Sequence, residues 1–198
     1  DETNLLSYLL LDGSGSMDFA SEDAPLTKLR YASFLAATFA YLFMRQGDAV
    51  GALSFDSEVR QYLPASAKTS HLDDLFFMLD KLPSREGTAI EQALRTIAER
   101  AKGRSLVMLF SDLLDTDDEV MNFLRVLRSR RFEVAVFHVH VFQHVVVYFD
   151  SVTQPRRSGT TLVFVHPSVR RLQLHLELGF RIQAPVSQNL FRQFHLFG

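Results

Sequence analysis

Short apolar runs alternate with longer stretches of helical periodicity along most of this chain. Residues 5–11 form one apolar run of strand length that stops at a glycine-rich loop, as expected of a parallel strand buried on both faces. Residues 26–46 then predict a long helix, with Pro25 at its first turn and Gly47 ending it. Its apolar positions, Leu29, Phe34, Leu35, Phe39, Leu42 and Phe43, go nearly all round, so this helix should be packed on several sides. Residues 49–55 and 59–63 predict two strands joined through Asp56-Ser57 as a hairpin-like pair. Leu72, Leu75, Phe76 and Leu79 give residues 71–82 a helical period, with Thr69 or Ser70 as its cap. A further helix over 88–102 carries Ile90, Ala93, Leu94 and Ile97 on one side; a strand over 105–110, a helix over 117–130 and a strand over 133–141 follow. Strands alternating with helices call for an α/β fold, a mostly parallel central sheet with helices on both faces.

Beyond residue 141 the pattern changes. Residues 145–149 and 161–165 predict an extra strand pair around a polar turn at 153–159, and 168–178, 180–182 and 188–197 predict helix, strand and helix. No internal repeat or low-complexity tract is present. With 198 residues the chain supports one full core, divided here into a core domain over 1–142 and a C-terminal extension over 143–198 packed on the same domain.

Composition narrows the class. Hydrophobic content of 47% and charged content of 22% are those of a globular protein, and a formal charge of -2 argues against a surface built to neutralise nucleic-acid phosphates. The absence of cysteine excludes disulfides, thiol nucleophiles and cysteine-ligated metals. The apolar run over 35–44 is too short to span a bilayer, which takes about 20 residues. A cytoplasmic location is expected for this segment, with any membrane anchor of a longer product lying outside it. Of the 18 phenylalanines, Phe34, Phe39, Phe43, Phe76 and Phe77 are expected as helical core material, and Phe191, Phe194 and Phe197 as a clamp for the last helix.

The chemistry concentrates where the first strand ends, in Asp12-Gly13-Ser14-Gly15-Ser16. Three oxygen-bearing side chains at alternate positions can turn toward one point, and the two glycines allow tight folding around a small ion. Thr88, opening a helix, and Asp112, ending another apolar strand, could complete the set. Ligands of open parallel sheets gather at the carboxyl ends of strands, so neighbouring strands would bring Asp12 and Asp112 together. Oxygen-only donors favour magnesium, with manganese or calcium satisfying the same chemistry, over zinc or copper. Each piece also has a plainer reading: Thr88 as a helix N-cap, Asp112 as a cap of the following helix. The acidic residues Asp115, Asp117, Asp118 and Glu119, like Asp18, Glu22 and Asp23, suit solvated loops and helix starts. His138 and His140 alternate on one strand with His144 close behind, but no third zinc ligand is placed, which favours a structural role.

Asp12-Gly13-Ser14-Gly15-Ser16, Thr88 and Asp112 together resemble the metal-ion-dependent adhesion site of von Willebrand factor A-like domains. Residues 4–17, 41–51, 59–64 and 106–114 further resemble the bacterial family catalogued as domain of unknown function 58. The resemblance implies a Rossmann-like von Willebrand factor A fold and a Mg2+ ion bound by Asp12, Ser14, Ser16, Thr88 and Asp112. It also implies a protein partner that supplies an Asp or Glu carboxylate to the metal, and work alongside a MoxR-type AAA+ ATPase in protein assembly or maturation. The family commonly carries Asp-Pro after the third buried strand, where this chain has Val141-Phe142-Gln143. A non-catalytic interaction domain is therefore the leading expectation. The alternative is a magnesium-dependent hydrolase or phosphotransferase, against which stand Ser14 where an aspartyl-phosphate enzyme would place a second Asp and the lack of a placed histidine base. No nucleotide-binding Walker loop is present.

Overall fold

The computed structural model describes residues 6–22, 24, 26–101, 105–114, 120, 123, 127, 132–140, 145–150 and 163–165. Strands β1 (Leu6–Asp12), β2 (Ala49–Phe55), β3 (Val59–Ser66), β4 (Ser105–Ser111), β5 (Phe132–Val139), β6 (Val145–Asp150) and β7 (Val163–Val165) form one seven-stranded sheet. Its order is β3-β2-β1-β4-β5-β6-β7. The four central strands run parallel, whereas β3 and β6 pair antiparallel with β2 and β5, and β7 antiparallel with β6. The mostly parallel α/β sheet expected from the alternation is thus observed. The strand pair predicted after residue 141 extends the same sheet, whereas the elements predicted over 168–178, 180–182 and 188–197 lie outside the described residues, as do His144 and Phe191, Phe194 and Phe197.

Side chains alternate across each strand and build two cores. On one face Leu9, Leu11, Met108, Phe110, Ala135 and Phe137 pack beneath α1 (Lys28–Arg45) and α2 (His71–Asp80). On the other, Tyr8, Leu10, Leu53, Val107 and Leu109 meet Ile90, Ala93, Leu94 and Ile97 of α3 (Ile90–Arg100) and the helical residues Val120 and Leu127. The period-2 alternation of a strand thus supplies an apolar surface to both helical layers. Phe110 stacks on Phe137 at a centroid separation of 4.5 Å, and Phe39 of α1 meets Phe137 edge-on at 5.1 Å. No helix among the described residues is long and apolar enough to cross a membrane.

Three sequence expectations need correction. Helix α1 starts at Lys28, two residues late, because the Thr27 side chain accepts a hydrogen bond from the Arg30 amide and so caps it. Gly47, at φ +86°, ends the helix where expected. Helix α3 likewise starts at Ile90 with Ala89 as its N-cap, so Thr88 neither opens nor caps it. Phe34, Phe76 and Phe77 are exposed rather than core, at 40%, 38% and 69%. They lie on the outer sides of α1 and α2, whose inner sides already fill the space above the sheet.

Candidate metal centre

Strand β1 ends at Asp12 between β2 and β4, with Leu11 in register with Ser54 and Phe110. Its loop leaves the sheet by a narrow passage. The Gly13 amide donates to the Phe55 carbonyl at 2.7 Å, and a Cβ on Gly13 would stand 2.9 Å from the Pro83 carbonyl oxygen. Only glycine fits between these two backbone segments. The chain then makes a 3-10 turn over Gly15–Asp18 that buries Met17 as an anchor.

Within this loop Asp12 is 2% exposed. Its Oδ1 accepts from the Ser14 amide at 2.9 Å, and its Oδ2 accepts from the Ser111 hydroxyl at 2.5 Å. The Ser14 and Ser16 hydroxyls are hydrogen-bonded to each other at 3.1 Å. Burial, reinforced by the like charge of Asp112, pushes the Asp12 carboxyl above the usual carboxylate range, while the bonds from Ser111 and Ser14 oppose that rise. Adjacent placement of β1 and β4 brings the two carboxylates, 100 positions apart in sequence, to one end of the sheet.

The segment before α3 is tied to the first loop. The Arg85 amide donates to the Gly13 carbonyl at 2.9 Å, and the Ser84 hydroxyl donates to the Ser14 carbonyl at 3.1 Å. Thr88 follows three residues after Arg85. Its Oγ1 is buried and has no hydrogen-bond partner among the described residues. Ser7, Ser54 and Ser105 share that condition within strands, whereas Thr88 lies in the loop tethered beside the Asp12 motif.

Asp112, 5% exposed, holds the Leu114 amide on Oδ1 at 3.3 Å. Leu113 adopts a φ of +52°, a left-handed conformation disfavoured for a residue with a Cβ, and turns the chain sharply after the carboxylate. The carbonyl of Asp112 accepts from His138 Nε2 at 2.8 Å. Burial, and then the neighbouring His140 ring, hold the His138 imidazole below its usual range. His138 is therefore a buttress for the Asp112 backbone, and the histidines bring no third ligand: among the described residues no three His, Cys, Asp or Glu side chains gather as a metal site.

Two participants were not found from the sequence. Ser111 joins Asp12 to β4. Lys28, the first residue of α1, is 4% exposed and forms a buried ion pair through its Nζ with Asp112 Oδ2. A cation at a helix N-terminus opposes the helix dipole, and α1 has no acidic residue in its first turn. That mismatch was the available signal.

The donor set is all oxygen, as a hard cation requires: two carboxylates whose oxygens each already accept a hydrogen bond, the linked hydroxyls of Ser14 and Ser16, and the Thr88 hydroxyl, which has no partner among the described residues. Asp12, Ser14, Ser16 and Asp112 gather at the β1 and β4 ends, with Thr88 on the loop laced to them.

A mostly parallel sheet between two helical layers, with its polar cluster at the carboxyl ends of β1 and β4, defines a Rossmann-like α/β domain. The chain belongs to the family described as protein of unknown function DUF58, which matches residues 1–144. Among solved structures it is similar to the conserved hypothetical protein BatB from Bacteroides thetaiotaomicron, at 17% identity over 82% of this chain and 80% of that one, with a TM-score of 0.58. An aerotolerance-related membrane protein from Bacteroides fragilis is similar at 18% identity over 82% of each chain, with a TM-score of 0.56. A von Willebrand factor type A protein from Catenulispora acidiphila aligns at 17% identity over 68% of this chain and 33% of that one, with a TM-score of 0.49. No curated protein matches the sequence.

Proposed function

We propose that this domain is a non-catalytic, divalent-cation-dependent protein-interaction module. Asp12, Ser14, Ser16, Thr88 and Asp112 would hold a magnesium ion, with manganese or calcium as substitutes. The observation that carries this reading is the buried Thr88 Oγ1, without a partner among the described residues, on a loop laced to the Asp12 motif. A buried hydroxyl without a partner is costly, and a cation would satisfy it. When bound, the ion would supply a Lewis-acidic coordination point for a carboxylate of the partner protein. Asp12 and Asp112 balance its charge, while the loops after β1, before α3 and after β4 form the rim that the partner meets. The family resemblance nominates a MoxR-type AAA+ ATPase as partner, in assembly or maturation of other proteins. Catalysis is disfavoured because the serines at the site bond to each other and, among the described residues, no imidazole is hydrogen-bonded to them, His138 being engaged with the Asp112 carbonyl.

The test is a magnesium titration of the purified domain and of Asp12→Ala, read by calorimetry and thermal shift. It is followed by capture of a purified MoxR-type ATPase with and without chelator. At about 100 times its dissociation constant the ion should stabilise the wild type by about 2.7 kcal/mol. No shift at millimolar magnesium refutes the reading. Magnesium-dependent phosphatase or esterase turnover that disappears in Asp12→Ala would establish the hydrolase alternative instead.

A further inference from the structure

The same carboxylate is claimed twice. Asp112 Oδ2 accepts from Lys28, and both groups are almost fully buried. Charged side chains are rarely buried without a partner, and this lysine also sits at the helix end where a cation is least welcome. What keeps it there is Asp112: a buried negative charge needs a counter-charge, and the lysine supplies it. Asp112 Oδ1 is held by the Leu114 amide, and both Asp12 oxygens carry hydrogen bonds of their own. An ammonium and a divalent ion held at Asp112 Oδ2 repel each other strongly away from water, so each weakens the other's hold on that carboxylate.

We infer that Lys28 is a tethered internal cation that neutralises Asp112 in the metal-free domain and competes with the divalent ion for it. Building on the metal reading proposed above, the site has two charge states, lysine-paired and metal-loaded. Loading sets the ion against Lys28 at Asp112, so the lysine lowers metal affinity while it stabilises the metal-free fold. It thereby sets the cation concentration at which the interaction surface becomes competent.

The experiment compares Mn2+ binding, by electron paramagnetic resonance and calorimetry, in the wild type, Lys28→Met, Lys28→Gln, Asp112→Asn and Lys28→Met/Asp112→Asn. Thermal midpoints in chelator are measured on the same proteins. Lys28→Gln keeps a hydrogen-bond donor without the charge and serves if Lys28→Met does not fold. The expected result is Mn2+ affinity raised about tenfold or more in the lysine variants, with a lowered midpoint in chelator. The gain should largely vanish in the Asp112→Asn background. Equal or weaker affinity in both lysine variants, with Mn2+ binding by the wild type, overturns the competition and leaves the metal reading intact. Binding by the lysine variants alone upholds the competition and removes metal dependence from the native chain. Binding by none of the proteins overturns both.

Discussion

Thr88→Val separates a metal ligand from a merely structural hydroxyl, because the two roles give opposite signs in different solutions. Valine keeps the β-branched shape and replaces Oγ1 by a methyl group. The hydroxyl it removes is buried and has no partner among the described residues. Burying an unsatisfied hydroxyl costs about 1–3 kcal/mol, so in chelator the variant should be more stable than the wild type by about 1 kcal/mol. For a domain of this size that corresponds to a rise in melting temperature of about 2–4 °C. In saturating magnesium the wild type gains the binding free energy and the variant gains less. A tenfold loss of affinity is worth about 1.4 kcal/mol, enough to erase or reverse the advantage seen in chelator. Differential scanning calorimetry of both proteins, in chelator and over a magnesium series, provides the four numbers needed. A variant destabilised by about 1 kcal/mol or more in chelator would show that the hydroxyl makes a bond in the metal-free fold. An identical magnesium shift in the two proteins would remove Thr88 from the ligand set.

Phe110→Ala should cost about 3–5 kcal/mol in urea unfolding, since the ring is fully buried and stacks on Phe137, and a loss below about 1 kcal/mol would mean that the two layers close over the void. Arg60→Met tests the hairpin turn beside the site. Arg60 Nε bonds both oxygens of the buried Asp56, at 2.8 and 2.7 Å, and this bonding holds the Asp56 carboxyl below the usual range. A depressed folded-state pKa contributes stability that is complete above the ordinary carboxylate value of about 3.9 and is lost as pH falls through the depressed one. The stability gap between wild type and Arg60→Met should therefore be widest near neutrality and shrink in acid; a gap that stays constant down to pH ~3 would disprove the linkage.

The local pattern of the chain determined which segments are strands and which are helices, because period-2 and period-3.6 burial are properties of a segment's own residues. It also placed Asp12, Ser14 and Ser16 in one loop, since alternate positions in a glycine-rich turn are close in any fold. The sheet order was not local information. That β1 lies between β2 and β4, with Ser111 bonded to Asp12, follows from packing of segments far apart in the chain. The same holds for exposure: Phe34, Phe76 and Phe77 are as apolar as Phe43, and only the placement of α1 and α2 on the sheet decides which rings face solvent. Lys28 is the clearest case. In sequence it is a lysine at the start of a helix, where a solvated side chain is the ordinary outcome. In the fold it is buried against a carboxylate 84 residues away, because the packing of α1 on the sheet brings its first residue to the end of β4, where Asp112 sits.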